Sequence, residues 1–146
     1  MGVDVSALAI RRARCLLREA GLSSKGFVCQ VSNFFKFPTS REVEAFDVVF
    51  DYSFLCALPL SFRPKYVKKV TEILKDSKGI LITIFPGNSY TGEPNNMRGG
   101  PPYEVDSEML KYLMESYNFE TLRLEKLENS IPRRKDKEWI GIFKLK

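Results

Sequence analysis

Histidine is absent from this chain of 146 residues. That absence removes Ser-His and Cys-His nucleophilic sites and the common histidine-containing zinc sites. Any chemistry must proceed without an imidazole base. Cysteine is sparse: Cys15, Cys29 and Cys56 are widely spaced and form no CxxC pair, so neither a disulfide framework nor a zinc knuckle is indicated. Reduced, partly buried thiols are expected, and no metal. No run approaches the roughly 20 apolar residues of a membrane span. The N-terminus carries Asp4, Arg11 and Arg12 and no signal-peptide pattern. A cytoplasmic protein without a membrane partner is expected. No GxGxxG string occurs anywhere in the chain.

What is present is ordinary for a soluble domain. The hydrophobic share is 44% and the charged share 28%, enough for one domain with a core. The net charge of +5 gathers at Arg11–Arg14, Lys65–Lys69 and Arg133–Lys135. Each cluster could meet phosphate, but the aromatics do not interleave with them as a base-stacking platform requires. Solvated helix faces or loops are the expected reading, with no nucleic-acid partner.

Strand and helix signals alternate. Met1–Val5 reads as the end of a strand. Ser6 caps a helix whose Ala9, Ala13, Leu16 and Ala20 share a face, and Gly21 stops it. Gly26–Val31 reads as a short strand, Pro38–Ala45 as a loop or short helix, and Phe46–Phe50 as an apolar strand. Leu58–Phe62 leads into a helix with Pro64 in its first turn and Val67, Val70 and Leu74 on its apolar face. Ile80–Phe85 reads as a central strand, and 86–103 as a long loop of functional type. Asp106 or Ser107 caps a helix bearing Leu110, Leu113, Met114 and Tyr117. Glu120–Glu128 and Trp139–Lys146 close the chain as strands. This order implies an α/β fold: a mostly parallel sheet with helices on both faces and one antiparallel strand near the C-terminus.

Ligands in such sheets bind beyond the carboxyl ends of the strands. Asp4 stands there, where a carboxylate can take two ribose hydroxyls or simply turn the chain. Asn33 and Phe34 follow the next strand. They suit an adenine edge and ring face, or an Asx turn with core aromatics. Asp51 and Tyr52 follow the third strand. The acid could face a cationic cofactor or cap a helix. Gly99, Gly100, Pro101 and Pro102 form a stiff turn that would position Tyr103. Arg98 and Arg63 are candidate anion binders, Arg63 more plainly a helix-entry residue.

The strings GVDVSALAIRRAR, VSNFFKF, FDYSFLCALPLSFRP, GILITIFP, GGPPYEV and IPRRKDKEWIGIF together resemble the thiopurine S-methyltransferase family, in its thiol and halide methyltransferase branch. FDYSFLCALPLSFRP followed by GGPPY is the specific part. The resemblance implies a Rossmann-like class I methyltransferase fold and S-adenosyl-L-methionine as cofactor. By position, Asp4 and Val5 would bind the ribose, and Asn33 and Phe34 the adenine. Asp51 would lie at the methionine end. Asp51, Tyr52 and Tyr103 would form the catalytic set beside the methyl acceptor. The family often carries an acid or serine where Asn33 stands.

The same resemblance implies that the family's first strand and glycine loop precede Met1. Residues 1–146 would then be one methyltransferase-like domain incomplete at its N-terminus. Two functions follow as expectations. One is methyl transfer to a small soft nucleophile, a thiol, thiocyanate or halide, by a monomer. The other is an inactive truncated fragment or a non-catalytic interaction module.

Overall fold

The computed structural model describes residues 1–22, 25–40, 44–87 and 100–146. The chain divides into two compact units, Met1–Pro38 and Thr39–Lys146.

In the first unit, β1 (Gly2–Asp4) pairs in parallel with β2 (Cys29–Val31), Asp4 opposite Val31. Between them runs α1 (Ala7–Glu19), capped by Ser6, whose side chain accepts from the Ala9 N–H. The helix turns Ile10 inward, with Ala13 and Leu17 half-buried, while Ala9, Leu16 and Ala20 are exposed. The face read from the alanines is therefore rotated. A Cβ is too small to decide which side of a helix is buried; the single β-branched Ile10 decides it. Arg14 fastens the helix to the strand, donating from Nε and Nη2 to the Cys29 carbonyl at 3.1 and 2.6 Å. β2 is shorter than expected because Gly26 turns at φ +77° before it.

The second unit holds β3 (Val48–Tyr52), α2 (Arg63–Ile73), β4 (Ile80–Pro86), α3 (Ser107–Ser116), β5 (Phe119–Lys126) and β6 (Glu138–Leu145). Its sheet has the order β3-β4-β6-β5. β3 and β4 are parallel, and β6 runs antiparallel to both of its neighbours. The one antiparallel strand stands where the sequence put it. β3 starts two residues later than expected and includes Asp51 and Tyr52, because Phe46 makes only an isolated bridge to Leu74.

The period of two is clear in β4. Leu81, Thr83 and Phe85 are fully buried, while Ile80, Ile82 and Ile84 are half-buried. Leu81 lies opposite Phe143 of β6. Tyr66, Val67 and Val70 of α2, Leu74 at its end and Met114 of α3 complete the core. Each such side chain contributes roughly 1.5–3 kcal/mol of burial. Asp106 caps α3 by accepting from the Met109 N–H at 2.8 Å. No described helix is long and apolar enough to cross a membrane.

Candidate functional site

The carboxyl ends of β1 and β2 lie side by side. The Ser32 N–H donates to the Asp4 carbonyl at 2.9 Å, so the residues after the two strands share one rim. The Asp4 carboxylate is exposed, and its Oδ1 accepts from the Ser6 N–H at 2.7 Å. Val5 beside it is exposed and apolar. Asn33 Oδ1 accepts from the Phe35 N–H at 2.9 Å, starting a short 3₁₀ turn over Phe34–Lys36. The Asx-turn reading of Asn33 is realised, and the amide Nδ2 is the group left to meet a ligand edge. Phe34 is half-buried and packs edge-on to Phe35 with centroids 5.6 Å apart.

In the second unit, Asp51 is only 5% exposed. Its Oδ1 accepts from the Phe54 N–H at 2.7 Å. Its Oδ2 accepts from the Leu55 N–H at 3.0 Å and from the Tyr66 hydroxyl at 2.8 Å. Burial raises this carboxyl from its ordinary value, while the Tyr66 hydroxyl and the two backbone donors pull it down. Both oxygens are committed inside the chain, and the capping alternative is the one the geometry realises. Asp51 shapes the turn Leu55–Ala57 that follows β3. Tyr66 was missed as a partner because its helical spacing with Val70 and Ile73 reads as plain core.

That turn forms one wall of a cleft of about 240 Å³, lined by Ser53, Cys56, Pro86, Pro101, Pro102 and Arg134 among others. The opposite wall is tied down twice. The Tyr103 N–H donates to the Cys56 carbonyl at 2.6 Å, and Arg63 Nη2 donates to the Glu104 carbonyl at 2.5 Å. Tyr103 itself is half-buried behind the prolines and does not line the cleft. Its ring lies against Gly100, where a Cβ would come within 2.7 Å of Cγ. The tyrosine thus holds the wall. The proline residues themselves face the cleft. Arg63 is buried and serves structure, as the helix-entry reading has it. Arg98, Gly99 and the loop over 88–99 lie outside the described residues.

The charged part of the cleft is Arg134. Its Nη1 donates to the Tyr52 hydroxyl at 3.0 Å, to Ser53 Oγ at 3.3 Å and to Glu138 Oε1 at 3.1 Å. Tyr52 donates its hydroxyl to the same Glu138 oxygen at 3.0 Å. The guanidinium also sits 5.2 Å from the Tyr52 ring centroid. Burial and the Glu138 bond raise the Tyr52 phenol, which stays protonated. Tyr52 is thus one hydrogen bond behind the cleft. The sequence reading missed Arg134 and Glu138. IPRRKDKEW reads as a basic solvated turn, and the only available signal was the opposite charges four residues apart.

Cys56 is buried in the same wall, its thiol donating to the Ser53 carbonyl at 3.2 Å. Burial, and next the charge of Asp51, push it up to about 11. A thiol reacts as its thiolate. Cys56 is therefore expected to alkylate roughly 100-fold more slowly at pH 8 than in the urea-unfolded chain. Its rate should climb until about pH 11. Iodoacetamide labelling read by peptide mass spectrometry checks this, and equal rates in the two states would refute the buried-thiol assignment.

The sequence profile of the family described as thiopurine S-methyltransferase matches residues 1–146. Thiocyanate methyltransferase 1 of Arabidopsis thaliana is 30% identical over 149 aligned residues, covering 99% of this chain and 59% of the relative. Probable thiol methyltransferase 2 of the same plant is 28% identical, with the same coverage. The chain thus spans about 59% of the length of these relatives. An S-adenosylmethionine-dependent methyltransferase from Clostridium acetobutylicum superposes with a TM-score of 0.73 at 12% identity, over 98% of this chain and 73% of the other. That likeness establishes the fold, a class I methyltransferase architecture.

Proposed function

Because the chain belongs to the thiopurine S-methyltransferase family, we propose that it serves methyl transfer from S-adenosyl-L-methionine to a small soft nucleophile. Residues 1–146 are taken as one methyltransferase-like domain working as a monomer. The observation that carries the reading is the shared rim at the ends of β1 and β2, where the Ser32 N–H meets the Asp4 carbonyl.

The residues at that rim fit a nucleoside. Asp4 keeps an exposed carboxylate with Oδ2 to accept ribose hydroxyls. Asn33 offers Nδ2 to an adenine edge. Val5 and Phe34 supply apolar surface for the rings. When bound, the cofactor supplies a methyl group on a sulfonium, an activated leaving group that needs no protein acid.

The acceptor is assigned to the cleft of the second unit. Arg134 faces an acceptor that arrives as an anion, and Pro86, Pro101 and Pro102 give it apolar walls. An acceptor that is already anionic needs no base, in keeping with a chain without histidine. Cys56, held as a thiol, does not compete as a nucleophile. Asp51, Tyr52 and Tyr103 position these walls.

A second reading is a non-catalytic interaction module. Isothermal titration with S-adenosylhomocysteine separates the two. Saturable heat is expected. No heat at millimolar ligand, from a chain that melts cooperatively, would leave only the second reading.

A further inference from the structure

Resting on the assignment of the cleft to the acceptor, we infer that Glu138 is a specificity-determining residue that makes the cleft reject hard anions. Glu138 is 1% exposed and sits at the start of β6, opposite Pro86, a residue of the cleft wall. One of its oxygens takes both the Arg134 guanidinium and the Tyr52 hydroxyl. The cation that faces the cleft is thus compensated from behind by a buried carboxylate 3.1 Å away. Among the described residues, the hydrogen bonds of the guanidinium all leave from Nη1. Nε and Nη2 remain to address a ligand.

An anion entering this cleft meets hydrogen-bond donors but little net positive charge. Its gain must come from those donors and from the proline and thiol walls. A large, polarizable, singly charged anion such as thiocyanate, iodide or a thiolate loses little hydration and gains contact. Chloride loses more, and sulfate or phosphate far more, with no uncompensated charge to offset the loss. Softness of the acceptor is thereby selected by charge balance, not by pocket size alone.

The test replaces the charge and keeps the shape. Glu138→Gln retains an amide oxygen for Arg134 and Tyr52. Thiocyanate and sulfate are titrated into the whole chain without nucleoside. Binding is followed by the saturable NMR shift of the Trp139 indole N–H. Trp139 is the chain's single tryptophan, and its ring lies against Gly87, next to Pro86.

The unchanged chain is expected to prefer thiocyanate strongly. Glu138→Gln should raise sulfate affinity by about tenfold or more, collapsing the preference. Arg134→Gln, which exposes the acid, should weaken thiocyanate about tenfold. The double variant, neutral again, should recover thiocyanate binding lost in Arg134→Gln while sulfate stays excluded. The contrast between Arg134→Gln and the double variant decides the matter even where Glu138→Gln alone does not fold.

An unchanged thiocyanate-to-sulfate ratio in Glu138→Gln, or a double variant that binds thiocyanate no better than Arg134→Gln, would overturn the inference. So would the absence of a saturable shift with any anion. Methyl transfer is judged separately by the nucleoside titration. Nucleoside binding without anion discrimination removes only this inference. Anion discrimination without nucleoside binding leaves it standing and removes the methyl-transfer reading.

Discussion

Asp51→Ala is expected to lose about 3 kcal/mol or more of stability, the largest single-residue loss outside the apolar core. The carboxylate accepts from Phe54 N–H, Leu55 N–H and the Tyr66 hydroxyl, all at 2.7–3.0 Å. Removing it leaves three donors unpaired, two of them buried, at roughly 1–3 kcal/mol for each buried one. A domain has only about 5–15 kcal/mol in hand. The midpoint of thermal unfolding should therefore fall by about 10 °C or more. Asp51→Asn should fall between, since one amide oxygen can serve a donor while the NH₂ opposes another. Tyr66→Phe removes one of the three bonds and should cost about 1.5 kcal/mol.

The pH dependence follows from the same burial. The folded carboxyl of Asp51 lies above its unfolded value, chiefly through desolvation. In the window between the two values the native chain holds a proton that the unfolded chain has released. The stability from that proton is full below the unfolded value and is lost as pH rises through the folded one. Asp51→Asn should flatten the stability curve in that window. Thermal melts from pH 4 to 8 measure both effects. A loss below about 1 kcal/mol for Asp51→Ala would show that the carboxylate does not hold the turn.

The legible parts of the fold were those where one residue type has one physical use. Asp106 before an apolar period of 3.6 reads as a cap and is one. ILITIF reads as a buried strand, since nothing else fits five apolar residues and one threonine, rich in β-branching, between a glycine and a proline. Gly100 next to two prolines marks a wall, though not which of its residues faces the ligand. What the sequence leaves open is polarity seen without its partner. Asp51 at a strand end suits a ligand or a cap equally well, and only the position of Tyr66 decides. Arg134 in a run of basic residues looks solvated until Glu138 is seen buried beneath it. Glu138 and Arg134 both also bond to Tyr52, 86 and 82 positions away, beyond any local pattern.

Asp4→Ala is expected to weaken S-adenosylhomocysteine by about 2–3 kcal/mol, roughly 30- to 150-fold. The exposed carboxylate is already oriented: the Ser6 N–H holds Oδ1 at 2.7 Å, which fixes the plane and turns Oδ2 outward. A ligand hydroxyl then binds an anion that has no rotamer left to lose, the condition under which a hydrogen bond to charge reaches its upper range. Ser6→Ala separates orientation from charge. The Ser6 backbone N–H survives, but the side-chain cap to the Ala9 N–H at 3.2 Å does not. The helix start loosens by about 1 kcal/mol, and affinity should fall only a few-fold. Calorimetric titration of both variants at constant salt gives the ranking. Equal affinity for Asp4→Ala and the unchanged chain would detach the β1 rim from nucleoside recognition, since among the described residues no other acid lies at the ends of β1 and β2 to take its place.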